Sequence, residues 1–423
     1  MARTRLLSAM CCLLAQTTAL YAEEAAYGIS GNPSAVNILT GTGALGELLQ
    51  IPKSSGVRLG GLWIGDYNAL LNGGSDANTN GVWTGNSSGI LDLYIDLNKA
   101  VGWKGGSFGT EFLQFNGQPT NTDAGVVQGY NSLTGSPPLN RSEWYQLWLY
   151  QQLLDKKLSI RIGKMVPTYH FNNVSKPVPT SDPAVFIPSV SGLIYTPIFV
   201  NTTLLGAIGG YYNSVCGVVA VIAPTEQSYI NIGVYDGNVA RGVQTGLGGP
   251  HFNGYYFSII EGGYGWATSR PGIAAIGAWY QSGLLEASCQ TQNGTGGVYA
   301  FGSQALWIAE SETTSKGNIS SFWQLGWNNS RTLPMNLFVG GGLTGFALVP
   351  KRPNDSFGIG FAWSRLNPHQ FSRSSELMIQ GYYQAQVYKS FYFQPVISYI
   401  PNPGADPTKS NVWAATGRLT VLF

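Results

Sequence analysis

Hydrophobic residues along most of this chain recur at every second position. Leu91, Leu93, Ile95 and Leu97 alternate with Asp92, Tyr94 and Asp96. Ile230, Ile232 and Val234 alternate with Tyr229, Asn231, Gly233 and Tyr235. The same holds for Ile319, Trp323, Leu325 and Trp327 against Asn318, Ser320, Gln324 and Asn328. Near the C-terminus, Leu377, Ile379, Tyr383 and Val387 alternate with Glu376, Gln380, Gln384 and Gln386. A period of two marks a strand with one apolar and one polar face. Helical periodicity is nearly missing beyond the first residues.

About sixteen such runs follow one another, starting near residues 56, 89, 105, 142, 157, 204, 228, 252, 271, 296, 318, 333, 356, 375, 390 and 411. Their connections tend to alternate in length. Those at 69–88, 117–141, 167–203, 237–251, 283–295 and 400–410 are long and rich in Gly, Asn, Pro, Ser and Thr. Those at Asp155–Lys157, at Pro224–Gln227 and around Lys389 span a few residues. The link at 329–332 is short where the alternation calls for a long one. Transmembrane barrels have an even strand number, short periplasmic turns and long outer loops. The pattern predicts an all-β fold, a transmembrane antiparallel β-barrel of about 16 strands whose first strand runs outward.

Composition sharpens this. Only 10% of the 423 residues are charged, while 56 are glycine; a water-facing domain carries about 25% charge and about 7% glycine. Hydrophobic content of 44% excludes intrinsic disorder. No Lys/Arg run or basic stripe points to nucleic acid. No run beyond the N-terminus approaches the roughly 18 apolar residues of a membrane helix. A barrel reconciles these facts, because half of every strand meets hydrocarbon and half meets water. Mean hydropathy accordingly lies near zero, at +0.01. The 12 Trp, 23 Tyr and 18 Phe can supply girdles at the two membrane interfaces.

The ends of the chain carry their own signals. Arg3 and Arg5 precede the apolar stretch Leu6–Leu14, and Thr18–Ala22 ends in a small residue suited to cleavage, as in a signal peptide. The expected organisation is a signal peptide at 1–22, an N-terminal periplasmic or plug segment at 23–54 and an outer-membrane barrel at 55–423. Cleavage would remove two arginines, balancing basic and acidic residues, and would leave Cys216 and Cys289 as the cysteines. Two cysteines make no disulfide framework; each is expected to be a packing residue or half of one pair. At the other end Trp413, Leu419, Val421 and Phe423 share one parity against Thr416, Arg418 and Thr420. Outer-membrane barrels end on an aromatic residue that their assembly machinery recognises. An uncapped apolar edge of this kind in a soluble protein would invite aggregation.

Lumen-facing parity selects the candidate pore residues. Arg161 lies opposite Leu158, Ile160 and Ile162, and an arginine facing lipid at mid-membrane would cost about 2–4 kcal/mol. It is either a constriction donor that grips a hydroxyl-bearing solute through a planar fork of N–H groups or a wall charge paired with a carboxylate. The same alternatives hold for Arg418. Lys164 has the opposite parity and can snorkel to the interface. Asp92 and Asp96 share the inner face with Tyr94, about 13 Å apart at roughly 3.3 Å per residue. That separation exceeds the roughly 5–9.5 Å of glycosidase carboxylates, so they are wall charges. Glu376 and Gln380 are further lumen-parity groups. Trp144, Gln146, Trp148 and Tyr150 share an inward parity and could stack on the apolar face of a permeating solute and bond its hydroxyls, or else be girdle or packing residues with the parity slipped. The 167–203 loop, with six prolines from Pro167 to Pro197, is suited to folding inward. His170, His251 and His369 have no metal-ligand spacing, and no nucleophile or phosphate-loop motif occurs. A non-enzyme without cofactor is expected.

Several stretches, in order, resemble the carbohydrate-selective porin family of the OprB type. They are Leu39-Thr40-Gly41 with Gly46-Glu47-Leu48, Gly60–Gly65, Gly89–Leu97 and Trp103–Phe108. The hairpin Trp148–Gln152 to Leu158–Lys164 follows, then Gly233–Gly237. The set ends in Glu376, Tyr382-Tyr383, Phe393-Gln394-Pro395, Tyr399-Ile400 and Asn402-Pro403-Gly404. At Gln380 and Ser398 that family more often has Glu and Gln. The resemblance implies a sixteen-stranded outer-membrane porin passing monosaccharides, often glucose, by facilitated diffusion. It also implies lipid and the assembly machinery (through Phe423) as partners, and a monomer or homotrimer. Alternatives are a general or weakly ion-selective porin, against which the charge balance argues mildly, and an outer-membrane barrel enzyme or adhesin.

Overall fold

The computed structural model of the protein describes residues 43–73, 83–133, 139–172, 174, 192–210, 213–241, 250–266, 268–309 and 317–423. The expected signal peptide, residues 23–42 of the N-terminal segment and most of 173–191 lie outside them. Sixteen strands follow in order. The first eight are β1 (Val57–Asn72), β2 (Trp83–Asp96), β3 (Gly106–Asn116), β4 (Asn140–Leu153), β5 (Leu158–Met165), β6 (Val215–Thr225), β7 (Ser228–Asp236) and β8 (Tyr256–Trp266). The second eight are β9 (Gly272–Ala287), β10 (Gln290–Ile308), β11 (Asn318–Asn328), β12 (Met335–Phe346), β13 (Ser356–Leu366), β14 (Ser375–Tyr388), β15 (Phe391–Pro401) and β16 (Asn411–Leu422).

Each strand pairs antiparallel with its sequence neighbours, and β1 closes on β16 from Leu62↔Leu422 to Asn72↔Trp413. Closure leaves no open edge, which a lipid-embedded sheet requires. The distribution of polarity is the reverse of a soluble protein's. Outward positions are exposed and apolar, among them Tyr67, Leu91, Ile232, Ile276, Ile359 and Ile397. Inward positions are buried and largely polar, among them Asn86, Asp92, Gln281, Gln324 and Gln384. Among the described residues no helix is long and apolar enough to cross a membrane; the strands do the crossing.

Three expectations from the sequence are corrected. Residues 283–295 form no long loop, because β9 and β10 run on and close in a two-residue turn at Ser288 and Cys289, both left-handed (φ 48° and 64°). This is the turn whose twist matches a hairpin. Gly283 and Gly294 lie where the register shifts between Asn293 and Thr295, so a bulge broke the alternation without ending the strands. No strand begins near 204: Leu204, Ala207 and Ile208 are apolar because they are buried inside the barrel, and β6 starts at Val215. Strands expected from 89 and 296 begin earlier, at Trp83 and Gln290. Cys216 and Cys289 are unpaired.

The bore is partly filled by two outer connections. Residues 120–133 and 192–208 lie inside the strand ring, where Tyr130, Ile194, Tyr195, Ile198 and Leu204 are buried against inward wall residues such as Phe322, Phe338, Met378 and Tyr382. The two segments also bind each other, through Thr196 N to Gly129 O (3.0 Å) and Ser132 N to Ile194 O (2.7 Å). Glycines on the wall admit this close approach. A methyl group at Gly326 would collide with Asn201 and Thr203, and one at Gly360 with Leu193 and Tyr195.

Candidate functional site

One group of candidates lies on the inward faces of β2, β4 and β5. Arg161 sits at an inward position of β5, paired with Tyr150 on β4 and Val219 on β6. Its guanidinium carbon lies 4.1 Å from the centre of the Trp148 ring and 5.5 Å from that of Tyr150. Nη1 lies 3.2 Å from His170 Nε2. An arginine stacked on an aromatic face keeps its N–H groups in the plane, aimed past the ring edge. Tyr94 on β2 extends this surface, 6.4 Å from Trp148 between ring centres, with the Arg58 guanidinium 5.9 Å from its own ring.

Asp92 continues the wall on β2. It is buried, and neither carboxylate oxygen accepts a hydrogen bond from a described residue. Across the strands it pairs with Glu111, which pairs in turn with Gln146. Arg58 acts electrostatically on Asp92, and Glu111 on Arg161. Gln146 is buried and accepts from Val166 N at 3.3 Å, holding the start of the 166–214 connection.

Two candidates lie elsewhere. A bulge in β4 sets Glu111 opposite Gln146 and Phe112 opposite Trp144, leaving Tyr145 unpaired between them. The parity therefore flips: Tyr145 points inward and is fully buried, while Trp144 is 47% exposed on the lipid side, edge-on to Phe112 at 6.0 Å. The Trp144 carbonyl accepts from Lys164 Nζ at 2.7 Å. Asp96 ends β2, where its side chain caps the short helix Leu97–Val101 by accepting from the Asn98 and Lys99 N–H groups (3.0 and 3.2 Å). Its acceptor capacity serves a turn, as helix-capping aspartates do.

Three more are loop anchors under the inserted segments. Arg418 forms a two-pronged ion pair with Asp66, both contacts 2.7 Å, and Asp66 also accepts from Asn131 Nδ2 at 2.9 Å. Glu376, 1% exposed, accepts from the backbone N–H groups of Val127, Gln128 and Gly404. Gln380 donates to Tyr130 O and Ser398 Oγ and accepts from Ile194 N. Glu261 on β8 was missed in the sequence. It accepts from Asn172 N, Tyr229 Oη and Tyr299 Oη. Its inward parity on β8 was the available signal; Asn131, inside a loop, offered none.

A closed sixteen-stranded barrel with lipid-facing apolar rows, a polar inner wall and outer loops folded into the bore defines an outer-membrane porin. The sequence profile of the carbohydrate-selective porin, OprB family, matches residues 91–423, and the chain belongs to that family. Its fold is similar to that of Pseudomonas putida OprB. The high-pH structure has a TM-score of 0.75 at 15% identity, covering 90% of this chain and 96% of that one. The low-pH structure gives 0.58 at 14% identity, covering 93% and 99%. The outer membrane channel DcaP of Acinetobacter baumannii is more distant, with a TM-score of 0.50 at 11% identity, covering 87% and 97%. No curated protein sequence matches. The protein is a carbohydrate porin, a transport channel of the bacterial outer membrane.

Proposed function

We propose that the barrel passes monosaccharides such as glucose by facilitated diffusion, and that the strip formed by Arg161, Trp148 and Tyr94 is where the sugar touches the wall. The observation that carries this is Arg161 stacked on Trp148, with Tyr94 extending the ring surface. A sugar ring has an apolar face and a rim of hydroxyls, and this strip answers both. The rings take the face, and the Arg161 N–H groups donate to hydroxyl oxygens. A monosaccharide leaving bulk water thereby exchanges hydrogen bonds rather than losing them.

The chain works by diffusion through a bore and not by catalysis. Among the described residues His170 lies against Arg161, and His251 and His369 sit in separate connections. Export uses residues 1–22 as signal peptide, with residues 23–54 on the periplasmic side. Assembly uses the terminal aromatic; Phe423 exchanges both backbone bonds with Gly61 (2.7 and 2.9 Å).

The test is sugar block of ion current in planar bilayers. Each hydrogen bond to a charged group is worth about 1.5–3 kcal/mol, so Arg161→Ala should weaken glucose block by roughly tenfold and raise the open conductance. Arg161→Lys, which keeps the charge and loses the fork, should recover only part. Unaltered block and conductance in an assembled Arg161→Ala barrel would make Arg161 a structural wall charge.

A further inference from the structure

An apolar groove of about 620 Å³ opens on the outside of the barrel, on the lipid-facing side of β12 to β14. Its floor is Gly341, which takes an outward position between Trp323 and Phe361 of the neighbouring strands. Its walls are the exposed side chains of Leu343, Ile359, Phe361 and Ile379, with Leu377 beside them. The side chain missing at Gly341 leaves a channel between these walls that hydrocarbon must fill.

The outward row of β13 tells what fills it. Going from the groove towards the outer end, this row reads Ile359, Phe361, Trp363, Arg365. Alternate residues on one face are about 7 Å apart, so Arg365 stands roughly 13 Å above Phe361. Tryptophan in such a row marks the level where hydrocarbon gives way to headgroups. Arg365 therefore projects into the headgroup layer of the outer leaflet, where it is exposed and makes no ion pair with a described residue. The outer connections on either side, 329–334 and 367–374, add Arg331, His369 and Arg373 and contain no acidic residue. Glu376, the acid of β14, faces inward beneath the loops. Of these cations, Arg373 is engaged with the Pro407 and Lys409 carbonyls and lies near Asp406, which leaves Arg365 as the exposed cation above the groove.

We infer that this face seats one phosphate-bearing lipid of the outer leaflet, with an acyl chain in the groove over Gly341 and its phosphate on Arg365. A guanidinium pairs bidentately with phosphate, and the apolar groove fixes the chain below it. A second copy of the barrel fits less well, because its own rim at this level would have to supply the anion. The inference depends on the membrane-spanning fold and is independent of what passes through the bore.

Native mass spectrometry of the detergent-purified barrel with added diphosphoryl lipid A tests it. The wild type should retain one lipid per barrel, at least tenfold more firmly than it retains the dephosphorylated lipid. Arg365→Glu should abolish the preference for phosphate, and Leu343→Trp, which fills the groove from an exposed position, should reduce retention of both lipids. Both variants should keep wild-type conductance, which confirms that the barrel has formed. Equal retention of the two lipids by the wild type, or full retention by both variants, would overturn the proposal. So would a stable oligomer that Leu343→Trp dissolves, since the groove would then hold a second copy.

Discussion

Arg161 and Arg418 occupy equivalent positions, each on the inner face of a strand, yet their surroundings give them different work. Arg418 is 3% exposed and fully committed to Asp66. Removing one partner of a buried pair leaves an uncompensated charge, at a cost of about 3–5 kcal/mol, whereas replacing both by apolar groups is often neutral. Arg418→Ala should therefore lower the temperature at which the barrel loses its compact migration on unheated gels, and the double variant Asp66→Leu with Arg418→Met should recover most of the loss. A single variant as heat-stable as the wild type would show that the pair contributes nothing. The inward parity of both arginines was legible in the sequence, because each is flanked by alternating apolar residues. Their division of labour was not, because Asp66 lies at the far end of the chain and meets Arg418 only when β1 closes on β16.

At the scale of elements, the inserted segments are held by a few acceptors on the wall. Glu376 takes three backbone N–H groups, two of them from the 117–139 connection. Losing a buried acceptor strands those donors, at about 1–3 kcal/mol each. Glu376→Ala should loosen residues 120–133 and raise single-channel conductance, and Gln380→Leu should act on the 192–204 segment in the same way. Conductance equal to the wild type's in both would mean that these segments do not restrict the bore. Strand positions were readable because period two survives one residue at a time. Trp144 was misplaced because a bulge at Tyr145 adds one residue, and one residue turns every later side chain to the other face. The apolar stretch around Leu204 misled for a related reason: a segment buried in the bore needs the same residues as a strand buried in lipid.

For the whole molecule, closure is the organising event. A sheet of this size in hydrocarbon has no tolerance for an unpaired edge, and the seam between β1 and β16 joins the two ends of the chain. Phe423 extends that seam by its backbone bonds to Gly61, and its ring lies against the Gly61 position. Deleting Phe423 should reduce the amount of protein recovered in the outer membrane while leaving any assembled barrel β-rich by circular dichroism and shifted on gels by boiling. Full recovery without Phe423 would remove the terminus from the assembly step.

The chain's own pattern of alternation, its low charge and its aromatic end determined that it is a membrane barrel of sixteen strands, because each of these is a local response to a solvent that differs on the two faces of one sheet. Only the tertiary structure decided which inward residues meet the bore and which lie under a loop. Asp92 and Glu376 look alike in sequence, both acids at lumen parity. One, on β2, accepts no hydrogen bond from a described residue, and the other grips the amides of a segment more than two hundred residues away. Parity is set by neighbours along the strand, whereas cover is set by where distant loops come to rest.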